Sequence, residues 1–193
     1  MHCLQKIKYF FALILLLMTL PAMADGVRTV HADGFKTSNG NLNIRTRFYI
    51  TLPQQLEQAL KQGVSLYFNL DTQITRPTIM TYKFKFNNMI GGKKNISYKL
   101  TYLPTTNRYK ISIGTFYTEY HSLEAALSAL GSTKNWKVIE DNALKDYSAK
   151  DISFSVRLSL DTKKLPKPFQ INAITSNTWN LNSGWVLVNI LGN

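Results

Sequence analysis

Glu119 and His121 straddle Tyr120, and on a strand, where alternate side chains share a face, they would form an acid–base pair. Titratable residues also cluster for purely structural reasons, and a surface pair just ahead of a helix is the plainer reading. Glu140 and Asp141 are adjacent, so in a strand they point apart and do not make the facing carboxylates of a glycosidase. His31 stands far along the chain from His121. No pair has metal-ligand spacing, and HExxH, GxSxG and a phosphate-cradling glycine loop are missing. Asp33-Gly34 reads as a turn. The one cysteine, Cys3, lies at the extreme N-terminus, leaving no thiol for a disulfide, a metal or nucleophilic catalysis in the body of the chain. The expectation is a non-enzymatic protein that takes no cofactor and no metal.

The basic residues say more. The 193 residues hold 23 Lys and Arg against 11 Asp and Glu, a net charge of +12. Such a bias draws anionic partners. Lys83 and Lys85 alternate with Tyr82, Phe84 and Phe86; Lys99 stands opposite Tyr98 and Leu100; Arg108 and Lys110 alternate with Tyr109 and Ile111. If these three runs are hairpin neighbours, the five cations Lys83, Lys85, Lys99, Arg108 and Lys110 share one outward face, with Lys93 and Lys94 on a loop beside it. The aromatics between them fall on the opposite, buried face, which weighs against a platform for stacking single-stranded nucleic acid. An anionic membrane surface or a membrane-bound sensor protein is the partner this face fits.

A second cluster lies in the tail, Leu165 to Trp185. Pro166 and Pro168 hold its start extended, and Phe169, Ile171, Trp179 and Trp185 are its anchors. Large aromatics usually serve packing, so the tail reads as an irregular latch over the end of the core. A recognition surface is the alternative.

What must position these residues is chiefly strand. Alternation with period two runs through Leu42, Ile44, Phe48 and Ile50, whose outward partners are Asn43, Arg45, Arg47 and Tyr49. It returns at Val64–Leu70, Tyr82–Phe86, Ile96–Tyr102, Tyr109–Ile113 and Ile152–Leu160, with turn residues at Asn39-Gly40, Gly91-Gly92 and Pro104 to Asn107. Two short helices interrupt the strands. Pro53 opens one, with Leu56, Ala59 and Leu60 as its stripe and Gly63 as its stop. Ser122 caps the other, whose stripe is Leu123, Ala126, Leu127 and Leu130, ended by Gly131. Both contain Leu-Glu-x-Ala-Leu, a pattern compatible with duplication and equally with the habits of amphipathic helices. The fold class is α+β: a mostly antiparallel sheet or open β-sandwich with two short helices packed on it.

The N-terminus reads as an export signal. Lys6 and Lys8 precede an apolar run from Tyr9 to Leu20, and Pro21-Ala22-Met23-Ala24 follows. Basic, apolar and small-x-small parts in that order make a cleavable secretory signal, and the run is too short to span a bilayer. Residues 1–24 are expected to be removed after Ala24, leaving 25–193 as a single periplasmic domain.

Four stretches carry a resemblance: LEQALKQGVSLYF (56–68), YKLTYLPTTNRYKI (98–111), SLEAALSALGSTKNWKV (122–138) and the tail LPKPFQINAITSNTWNLNSGW (165–185). The chain resembles a proteobacterial family of exported proteins known only as a domain of unknown function, family 4390. Where that family usually has a tryptophan-rich segment after Arg76-Pro77, this chain has tyrosine and phenylalanine. The resemblance implies export and supplies no activity, cofactor or catalytic residue. Its genes tend to neighbour one for a membrane sensor kinase of the nitrogen-regulation type, which implies an accessory of envelope signalling. The reading is thus an exported interaction protein; a carrier of an apolar ligand and an envelope hydrolase with a site hidden from the linear sequence are the alternatives.

Overall fold

A computed structural model of the chain describes residues 26–74, 95–139, 153–175 and 179–191. The expected export signal, the Tyr82–Phe86 run with Lys83 and Lys85, the expected Gly91-Gly92 turn, Lys93, Lys94 and the Glu140-Asp141 pair lie outside the described residues.

The strands are β1 (Gly26–Lys36), β2 (Leu42–Thr51), β3 (Leu66–Ile74), β4 (Asn95–Leu103), β5 (Arg108–Ile113), β6 (Phe116–Tyr120), β7 (Ser132–Ile139), β8 (Phe154–Leu160), β9 (Val186–Leu187) and β10 (Asn189–Leu191). The helices are α1 (Gln54–Lys61), α2 (Leu123–Leu130) and α3 (Lys167–Thr175), with a 3-10 turn at Thr162–Lys164. A smaller sheet runs in the order β10-β1-β2-β7 and a larger one in the order β6-β5-β4-β3-β8-β9. Every pairing is antiparallel except β1 with β10.

The apolar sets read from the sequence are the inner faces. Leu42, Ile44, Phe48 and Ile50 of β2 are buried, as are Leu66, Phe68 and Leu70 of β3, Leu100 of β4, Ile111 of β5 and Phe154, Val156, Leu158 and Leu160 of β8. Together they form a single hydrophobic cluster, to which α1 adds Leu56 and Leu60 and α2 adds Ala126, Leu127 and Leu130. At about 25 cal/mol per Å² of apolar surface removed from water, a shared core of this size is what holds the two sheets together. The fold is an α+β sandwich, as the alternation predicts.

Three local expectations change. Asp33-Gly34 is not a turn: both residues lie inside β1, opposite Arg45 and Ile44. A Cβ at Gly34 would sit 3.1 Å from Val188 Cγ1, a tight contact that glycine avoids where the chain passes into β10. Pro166 and Pro168 do not hold an extended segment. They open a third helix, α3, in which the Phe169 and Gln170 N–H groups both donate to the Pro166 carbonyl; proline fits a first turn because the N–H it lacks would have no helical partner there. Gly131 does end α2, with φ −73°, and the fold shows why glycine stands there. A Cβ at that position would collide with the Phe48 carbonyl oxygen, and the Phe48 N–H donates to Gly131 O at 2.8 Å. Glycine allows α2 to press its end against β2. Finally β1, β6 and β7 are strands the sequence pattern did not mark.

Candidate functional site

The charged outward faces of the sheets are built by register. On the larger sheet Lys99 lies opposite Ser112, Thr101 opposite Lys110 and Leu103 opposite Arg108, so the three described cations of the expected face do stand together on β4 and β5. Tyr67 faces Lys99 from β3, Tyr117 adjoins Ser112 from β6, and Arg157 faces Asp71 from β8.

Two features of this face were not read from the sequence. It carries outward aromatics: Lys99 Nζ is 5.8 Å and Lys164 Nζ 5.0 Å from the Tyr67 ring, Lys110 Nζ is 5.5 Å from that of Tyr117, and the Arg157 guanidinium lies 4.4 Å from the Trp185 ring. Tyr98 and Tyr109, the described aromatics interleaved with these cations, are buried as expected; Tyr67 and Tyr117 come from the outward positions of the flanking strands. The face is also partly neutralised. Arg108 pairs with Glu119 at 4.0 Å, Arg157 with Asp71 at 3.0 Å and Lys164 with Asp161 at 3.7 Å.

The smaller sheet presents a second cationic face. Register places Arg28 opposite Tyr49, His31 opposite Arg47 and Asp33 opposite Arg45 on β1 and β2, while Lys137 of β7 adjoins Asn43. Arg28, Arg45, Arg47 and Lys137 are all exposed. Asp33 is the one carboxylate among them, 3.5 Å from Arg45. Tyr49 is exposed beside them, and Val30 is exposed at the bulge that shifts the β1–β2 register. Arg28 lies 5.5 Å from the Tyr49 ring and Arg45 5.0 Å from that of Phe35. The available signal was the outward set Asn43, Arg45, Arg47 and Tyr49; what could not be read was that β1 and β7 flank it with more cations.

The tail divides its aromatics. Trp179 is 3% exposed, donates from Nε1 to Gln55 Oε1 of α1 at 3.0 Å and stacks obliquely on Phe169 at 5.6 Å. Trp185 is 40% exposed and Ile171 63%, so neither is a core anchor. Trp179, Leu181 and Val188 anchor the tail in the core, and backbone hydrogen bonds add to the latch. The Leu160 N–H donates to Leu181 O, the Ser183 N–H to Leu158 O and the Val188 N–H to Phe154 O, after which β10 joins β1. One segment thus edges the larger sheet and then the smaller.

Glu119 is drawn toward Arg108, and His121 is exposed. Neither lines the clefts of about 390, 320 and 490 Å³ found beside α1, between β6 and β7, and between β2 and the two helices α1 and α2. Among the described residues no three His, Cys, Asp or Glu side chains gather closely enough to hold a metal, and no helix is long and apolar enough to cross a membrane.

No curated protein and no solved structure matches the chain. The match that exists begins within β1, ends within β10 and so encloses both sheets: over residues 29–189 the chain belongs to the family described as a domain of unknown function, DUF4390.

Proposed function

We propose that this protein is an exported, non-enzymatic interaction protein of the cell envelope, and that it meets an anionic surface through a cationic sheet face. The observation that carries this reading is the outward face of the smaller sheet, where exposed Arg28, Arg45, Arg47 and Lys137 surround one carboxylate, Asp33, and the exposed ring of Tyr49. Cations beside tyrosine suit the headgroup layer of a membrane, where the charge meets phosphate and the ring sits at the apolar boundary. The larger sheet offers Lys99, Arg108 and Lys110 with Tyr67 and Tyr117, but its acids offset much of that charge. A membrane-bound sensor with an acidic periplasmic surface is the protein partner that the same face would take.

The test is binding of the purified protein to phosphatidylglycerol-containing vesicles. Each basic residue near such a surface contributes about 1 kcal/mol at low salt, and salt screens it. Changing Arg28, Arg45, Arg47 and Lys137 to Gln should abolish binding, while changing Lys99, Arg108 and Lys110 to Gln should weaken it only modestly. The reverse order would move the site to the larger sheet, and no binding by wild-type protein would sink the proposal.

A further inference from the structure

We propose that β6 is a self-complementary edge through which two copies of this chain pair, antiparallel, about a two-fold axis at Thr118. This goes beyond the charged faces and does not depend on them.

β6 ends the larger sheet, with β5 on one side and no described strand on the other. Its side chains are nearly all exposed: Phe116 is 82% and Tyr117 65% exposed, and Ile113 beside them on β5 is 44% exposed. Proteins usually blunt such an edge with several charges, proline or a bulge. Here Glu119 is the one charge in the strand, proline is absent, and the β5–β6 register runs without a shift.

Register decides how a copy would dock. The β5–β6 hairpin turns through Gly114-Thr115, and Gly114 takes φ +57°, the glycine-first pattern of a two-residue type II′ turn. In that turn the flanking residues, Ile113 and Phe116, exchange hydrogen bonds. Alternation then directs the backbone groups of Phe116, Thr118 and Tyr120 to β5 and those of Tyr117 and Glu119 outward. Two copies can satisfy both outward residues at once in a single register, with Tyr117 opposite Glu119 of the other copy and Thr118 opposite Thr118. A shift of one residue sets outward groups against inward ones. A shift of two residues forfeits half the bonds, and in one direction it sets Glu119 against Glu119.

The side chains agree with that register. Glu119 falls beside the other copy's Tyr117, over whose ring Lys110 sits, so opposite charges approach and like charges do not face each other. Phe116 falls opposite Tyr120 of the other copy, at the rim of the apolar cleft of about 320 Å³ that Tyr98, Ile113, Leu130 and Thr133 help to line. Pairing would cover in each copy the Phe116 ring, which is 82% exposed. An isologous contact of this kind closes at two copies.

The full chain, expressed in cells and purified, is the sample, with Cys3→Ser as background. Sedimentation equilibrium should show a monomer–dimer equilibrium. Phe116→Glu and Tyr117→Pro should each weaken it at least tenfold while leaving the circular dichroism spectrum unchanged; proline at Tyr117 removes an outward donor and none that β5 uses. Thr118→Cys needs no disruption to be informative. At the dyad the two residues form a non-hydrogen-bonded pair with Cα atoms about 4.5 Å apart, within disulfide reach, so mild oxidation should yield a covalent dimer. Ser112→Cys, one strand inward, should not. A protein monomeric at every concentration with no Thr118→Cys dimer, a dimer indifferent to Phe116→Glu, or a Thr118→Cys disulfide formed only with a different polypeptide would each overturn the proposal.

Discussion

Trp179 and Trp185 share a residue type and a stretch of chain, but they meet different surroundings. Trp179 is enclosed by α1 and Phe169 with its indole N–H satisfied. Trp179→Ala should therefore cost about 3–5 kcal/mol, the range for emptying a buried aromatic site, read from urea unfolding. Trp185 lies over Arg157 at the surface, so Trp185→Ala should cost no more than about 1 kcal/mol. Equal losses would mean that the exposed ring has a partner of its own. Tyr98 is a third case. Burial lifts its phenol above the ordinary 10.0, and its hydrogen bond with Thr133 pulls weakly the other way. Folding thus favours the neutral ring, so this contribution is whole below pH 10 and is lost as pH rises through the raised folded value. Unfolding midpoints followed from about pH 10 upward should fall more steeply for wild type than for Tyr98→Phe.

At the scale of elements, what was legible depended on how many faces a segment buries. β2, β3, β4 and β8 bury one face against the core, and alternation exposed them at once. β6 is exposed on both sides and β1 has few large inward residues, since Ala32 and Gly34 make room for the crossing tail; neither leaves a periodic trace. α3 was hidden by its prolines, which mark a helix start as readily as an extended run. The candidate faces were legible by strand and not by sheet: Lys99 could be placed beside Lys110 across a hairpin, but no local pattern places Lys137 beside Asn43. Gly131 shows the same limit, for its need is a contact with β2, far away in sequence. Gly131→Ala should lower stability by about 1–3 kcal/mol in thermal or urea unfolding, although alanine is the better helix former. An unchanged or raised midpoint would show that α2 can withdraw from Phe48 freely.

For the whole molecule, the order of events at the N-terminus matters because the described part of β1, from Gly26 onward, lies close to the expected cleavage point. Gly26 already pairs with Thr51, Val27 with Ile50 and Arg28 with Tyr49. Cleavage after Ala24 would keep every residue of these described pairs. A cut a few residues later would strip the end of β1 and with it Arg28, one of the four cations of the smaller face. The case for this bond rests on the sequence: small side chains at Ala22 and Ala24 suit a signal peptidase. Mass spectrometry of the extracytoplasmic fraction should find the N-terminus at Asp25. Ala24→Phe should block processing and leave the larger, membrane-associated form, while Asp25→Ala should be processed normally. If wild-type protein instead retains Met1 in the membrane fraction, the leader is an anchor, and the cationic faces would be tethered to a bilayer before any lipid contact of their own.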